Sequence, residues 1–190
     1  MTELRRICVF CGSSAGSTPV FAEAAADLGR VLAERSIDLV YGGGATGLMG
    51  MVADSVLGHG GHVIGVIPGD LSDEVGHPGI SQLVEVEGMH ARKALMYEKA
   101  DAFVALPGGF GTIDELAEVL TWSQLGLHAK PVGLLDVDGY YRHLLAFFDQ
   151  AVGHGLLKDK NRALLLSDTG VEPLLDALAT TEVVYEPKWQ

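Results

Sequence analysis

Positive charge is scarce in this chain. Its 190 residues carry 13 Lys and Arg against 25 Asp and Glu, a formal net charge of −12. Surfaces that recognise nucleic acid need the opposite balance, because basic side chains hold the phosphate backbone. No nucleic-acid partner is expected, and any anionic ligand must be held by a local arrangement of groups. Long apolar runs are missing too. Nothing approaches the roughly 20 residues of a membrane span, and Ile7-Cys8-Val9-Phe10 is too short for a signal peptide. The expectation is a cytoplasmic protein with no membrane partner. Cysteine is reduced to Cys8 and Cys11. Their C-x-x-C spacing suits a redox pair. On a strand, however, residues three apart face opposite sides with Cα atoms about 10 Å apart, too far for a disulfide. Both are read as buried strand residues.

Several chemical signatures are absent as well. There is no G-x-x-x-x-G-K-[ST] loop, no H-E-x-x-H and no G-x-S-x-G, which removes P-loop, zincin and nucleophile-elbow chemistry. The pair His59 and His62 lacks a cysteine or carboxylate at ligand spacing. Neither a metal nor a cofactor is expected.

Glycine and aliphatic residues are abundant. Hydrophobic residues make up 48% of the chain, which excludes disorder and supplies one core, so residues 1–190 are read as a single domain. Glycine accounts for 25 of the 190 residues, well above the usual share of about 7%. Strand-like runs fall at 6–10, 37–41, 62–67, 83–86, 102–106, 132–135 and 182–185. Helical patterns fall between them at 19–34, 48–57, 90–100, 113–125, 140–152 and 171–178. Continuous Val/Ile/Leu runs suit strands buried on both faces. Their alternation with helices predicts an α/β, Rossmann-like, doubly wound fold: a mostly parallel sheet with helices on both faces. Such sheets bind ligands beyond the carboxyl ends of their strands.

Three of those ends are rich in glycine. After the first strand comes Cys11-Gly12-Ser13-Ser14-Ala15-Gly16. Ser13 and its neighbours suit a nucleotide, and equally an ordinary turn before Thr18-Pro19. After the second strand, Gly42, Gly44 and Gly47 match G-x-G-x-x-G in a strand–loop–helix context. Gly43, Gly44 and Gly47 are therefore candidates for close approach to a ligand. The motif sits on the second strand, though, and the acidic residue expected about 20 positions on is at best Asp70. After the fifth strand comes Pro107-Gly108-Gly109-Phe110-Gly111-Thr112-Ile113-Asp114-Glu115. Amides of Gly108 to Thr112 at a helix N-terminus make an anion site, with phosphate as its natural occupant. Thr112 and Glu115 also have the spacing of a capping box, which would put Glu115 in the first helical turn. Finally, Met89-His90-Ala91-Arg92-Lys93 places two cations near the start of a helix, against its dipole, as an anion nearby would require.

The run Pro107 to Glu115 matches P-G-G-x-G-T-x-x-E in full and resembles the Lonely Guy (LOG) family of cytokinin riboside 5′-monophosphate phosphoribohydrolases. The resemblance extends over Cys8–Ser13, Tyr41–Gly50, Met89–Lys93, Thr121–Gly126 and Pro131–Tyr141, in family order. It implies hydrolysis of the N-glycosidic bond of an adenosine-type nucleoside 5′-monophosphate, with Arg92 and Glu115 as the catalytic pair. Met89, Lys93 and Thr121 lie in matching segments and are implied substrate contacts. So is Glu74, in a stretch less similar to the plant pattern. An older lysine decarboxylase label finds no lysine in a Schiff-base context here. A carboxylate in the first turn is held ionised by the helix dipole and stabilises an oxocarbenium ion. The leaving purine takes its proton from His90 or from solvent.

Two rival readings share the same residues: a nucleotide carrier or sensor without turnover, and an NAD-dependent oxidoreductase using the Gly42–Gly47 loop. Mean hydropathy is +0.25. The stretches Leu144-Leu145-Ala146-Phe147-Phe148 and Trp122, Leu125, Leu127 are apolar enough to mark an association surface. Together with the resemblance they predict a homodimer with the site near its interface.

Overall fold

A computed structural model describes residues 3–183. Its centre is a seven-stranded parallel sheet, made of β1 (Arg6–Phe10), β2 (Asp38–Tyr41), β3 (Val63–Pro68), β4 (Gln82–Val86), β5 (Ala102–Ala105), β6 (Val132–Leu135) and β7 (Leu165–Asp168), in the order β4-β3-β2-β1-β5-β6-β7. β1 is central because both its faces are apolar, with Ile7 to Phe10 buried. Cys8 packs with Phe10, Phe103 and Val132 on one face, while Val9 and Cys11 join the cluster on the other. The two thiols are free, as strand alternation requires.

The helices divide between the two faces. On the Cys11 side lie α1 (Pro19–Glu34), α2 (Gly47–Gly58) and α8 (Val171–Thr180). Pro19 opens α1 at the position where its missing N–H costs nothing. Gly29 lies in the middle of α1 because α2 leaves no room for more: a Cβ there would meet Val52 O and Ser55 Cβ at 2.6 Å. On the Cys8 side lie α4 (Gly88–Lys99), α5 (Phe110–Gln124) and α6 (Arg142–Gly153). Two short helices, α3 (Gly69–Val75) and α7 (Asp159–Arg162), complete the described residues with a 3-10 turn at Val137–Gly139. No described helix is long and apolar enough to cross a membrane.

Three expectations need correction. The seventh strand is Leu165–Asp168, whose half-polar sequence suits an edge. At 182–185, Glu182 and Val183 carry no strand, and Val184 and Tyr185 lie outside the described residues. α5 begins at Phe110, capped by Gly109 with no side-chain cap. Thr112 is buried, at 3% exposure, inside the helix. The capping box is therefore absent, and Glu115 stands in the second turn, past the reach of the terminal dipole. α4 likewise starts at Gly88, so Arg92 lies beyond its first turn.

Candidate active site

The carboxyl ends of β1 and β5 lie side by side at the point where the chain turns from building one half of the sheet to the other. That switch point leaves a crevice between loops. Backbone bonds fix its walls. Gly12 N donates to Pro107 O (3.0 Å), and Leu48 N donates to Gly12 O (3.1 Å), so the three glycine-rich loops share a hinge at Gly12. A cavity of about 260 Å³ opens there, lined by Ser13, Gly42, Arg92, Glu115 and residues 109–112.

Arg92 and Glu115 meet across it. Arg92 Nη1 donates to Glu115 Oε1 at 3.1 Å, and Arg92 Nε donates to Val66 O at 3.2 Å. Each side chain is 12% exposed. Burial raises the Glu115 pKa above the ordinary carboxylate value, and the Arg92 guanidinium opposes that rise. The charges that favour ionised Glu115 are those of Arg92 first and Lys93 after it.

The fifth-strand loop is open to ligand. A Cβ at Gly109 or Gly111 would meet none of the described residues within 4 Å, and Phe110 between them is 98% exposed. Packing does not require these two glycines, whereas Gly108 is required: its missing side chain is replaced by the Thr112 hydroxyl and Gly12 N. Tyr140 Oη donates to Gly108 O at 2.8 Å, a brace that no motif pointed to. Phe21 and Tyr140 wall a second cavity of about 280 Å³ that shares Gly12, Ser13 and Gly109 with the first.

Other expected residues lie elsewhere. Gly43, Gly44 and Gly47 do not line the first cavity. Gly43 and Gly47 take positive φ angles of 75° and 59°. A side chain at Gly47 would strike Ser13, and one at Gly44 would meet Met49 Cε at 2.9 Å. Lys93 does not line the cavity either. Its ammonium joins α4 to α5 through Asp114 Oδ2 and Glu118 Oε1, each at 3.1 Å. Met89 and Glu74 are exposed outside it. Thr121 lines a separate apolar groove with Leu120, Phe147, Phe148 and Leu156. Of the apolar stretch on α6, Leu144, Leu145 and Phe148 pack against the core, leaving Phe147 60% exposed. Trp122 packs edge-on to Tyr97, while Leu125 and Leu127 are exposed.

Residues 49–178 match the family described as "Possible lysine decarboxylase". The chain is 53% identical over 178 residues to a probable cytokinin riboside 5′-monophosphate phosphoribohydrolase of Oryza sativa subsp. japonica, covering 93% of this chain and 78% of that one. It is 51% identical over 189 residues to a cytokinin riboside 5′-monophosphate phosphoribohydrolase of Arabidopsis thaliana, covering 99% and 85%. Among solved structures, the Moco carrier protein of Chlamydomonas reinhardtii has the same fold. It superposes with a TM-score of 0.70 at 24% identity, over 90% of this chain and 93% of that one.

Proposed function

The chain belongs to the Lonely Guy family of cytokinin riboside 5′-monophosphate phosphoribohydrolases, and from that premise we propose that it hydrolyses the N-glycosidic bond of an adenosine-type nucleoside 5′-monophosphate at the Arg92–Glu115 cavity. The observation that carries this reading is the ion pair itself. A largely buried carboxylate faces an open cavity beside a helix N-terminus, in an ion pair with Arg92 whose charge opposes the rise in pKa that burial causes. The amides of residues 109–112 hold the 5′-phosphate. That places the ribose toward Glu115. As the C1′–N9 bond breaks, its electron pair leaves with the purine and positive charge grows on the ribose. The Glu115 carboxylate stabilises that charge and accepts a proton from the attacking water. The new C1′–O bond gives ribose 5-phosphate. His90 is exposed and does not line the cavity, so solvent supplies the proton that the purine needs.

Among the described residues no lysine lines the cavity, so the older decarboxylase description finds no amine there for a Schiff base. The glycines of the second-strand loop are taken up by protein atoms, which argues against a dinucleotide there. A carrier needs the phosphate cradle but not the ion pair. A nucleoside monophosphate substrate suits a cytoplasmic protein. Exposed Phe147, Leu125, Leu127 and Leu156 support a homodimer. Incubation with AMP and with isopentenyl-AMP, followed by chromatography, is expected to yield free adenine or isopentenyladenine. Binding of either nucleotide without release of base would leave the carrier.

A further inference from the structure

The loop Gly42-Gly43-Gly44 reads as a nucleotide cradle, yet at Gly42 the space a side chain would need is already filled from inside the protein. A Cβ built there would overlap Arg92 Nη2 and lie 3.0 Å from Arg92 Cζ. The next neighbour, Met49 Sδ, stands at 3.4 Å, an ordinary contact. The guanidinium takes a fixed route. Its Nε is held by Val66 O on β3, it passes over the end of β2 at Gly42, and its Nη1 reaches Glu115 on α5. Gly42 is the point on that route where the end of β2 and the Arg92 side chain compete for the same volume. Gly42 is not among the glycines with positive φ. Its backbone would accept alanine, and only the guanidinium demands glycine.

We infer that Gly42 is a positioning residue: it forms the slot through which Arg92 reaches Glu115, and it is glycine for the sake of the catalytic pair and not of a nucleotide. This rests on the Arg92–Glu115 reading of the site. Any side chain at Gly42 displaces Nη2, swings Nη1 away from Glu115 and leaves that carboxylate without its cation. Substrate contacts made by residues 109–112 are untouched. The defect therefore falls on turnover and not on binding.

A double-mutant cycle isolates the effect. Gly42→Ala is expected to lower kcat at least about 10-fold with KM within about 2-fold, a fraction of the loss from one electrostatic stabiliser. Arg92→Ala empties the slot, so adding Gly42→Ala to it is expected to cost no further activity. Thermal unfolding gives a readout independent of turnover. Where Gly42→Ala lowers the midpoint or fails to fold, Gly42→Ala/Arg92→Ala is expected to return to the Arg92→Ala midpoint, because the clash has been removed. The inference is overturned if Gly42→Ala is as active as wild type, if its loss appears in KM and persists without Arg92, or if the two substitutions multiply. An Arg92→Ala protein with wild-type activity would refute the proposed role of Arg92. The stability cycle would still report on the slot.

Discussion

Glu115 carries the sharpest consequences at the scale of one residue. Its proton is bound more tightly in the folded chain than in the unfolded one, because burial raises its pKa above 4.5 despite Arg92. Activity that needs the carboxylate is then lost as pH falls through a value above 4.5, and Arg92→Ala moves that acidic limb higher still by removing the opposing charge. A pH profile of kcat/KM for both proteins checks the order. A limb at or below 4.5, or one that Arg92→Ala leaves in place, would mean that another group titrates. The same raised pKa sets the sign for stability. Any stability that Glu115 contributes is present below its unfolded pKa and is lost as pH rises through the folded value, so at neutral pH the buried charge is a burden. Glu115→Gln removes that burden and keeps an acceptor for Arg92 Nη1. Its midpoint at neutral pH is expected to equal or exceed that of wild type, with turnover at least about 100-fold lower. A Glu115→Gln protein that cleaves AMP normally contradicts the mechanism.

Elements set how far the sequence could be read. The strand–loop–helix order, the burial of β1 and the separate faces of Cys8 and Cys11 follow from local pattern, which the chain shows plainly. The starts of α1 at Pro19 and α8 at Val171 follow as well, but those of α4 and α5 do not. Thr112-Ile113-Asp114-Glu115 has the spacing of a cap, but α5 begins before it because Gly109 already ends the loop. β7 carries no strand signal in the sequence because Leu165-Leu166-Ser167-Asp168 is only half apolar. The purpose of Gly42 was illegible for a different reason: it depends on Arg92, which is distant in sequence and reaches the slot only when α4 packs on the sheet. Lys93 shows the same dependence. Its sequence position suggested phosphate, whereas the fold spends its ammonium between two carboxylates of α5. Burial alone would pull its pKa down, yet Asp114 and Glu118 hold it above the ordinary lysine value. Lys93→Met is accordingly expected to cost about 1.5–3 kcal/mol of stability, the range for hydrogen bonds to charged groups, with KM for the nucleotide little changed. Chemical denaturation and steady-state kinetics separate the two. A large rise in KM with stability intact would restore a phosphate contact.

At the scale of the whole molecule, the described residues leave an apolar groove between α5, α6 and α7 uncovered, with Phe147 60% and Leu156 86% exposed. Pairing with a second copy buries such a patch. Light scattering at micromolar concentration is expected to give twice the chain mass of 20.1 kDa, and Phe147→Glu to give the single mass. Full activity at the single mass would separate assembly from catalysis. The sheet also carries its own pair of chemical reporters. Cys8 sits on β1 and Cys11 directly after its end, in different helical layers, and burial pushes both thiols up, Cys8 well above its ordinary value, which makes each a slow nucleophile. Cys8 is fully enclosed, so an alkylating reagent reaches it only when the α4–α6 layer lifts from the sheet. Cys11 lines the Arg92–Glu115 cavity, so a nucleotide seated there shields it directly. AMP added during labelling should therefore slow the alkylation of Cys11 before it affects that of Cys8, and the interval between the two rates separates occupancy of the cavity from unfolding of the chain.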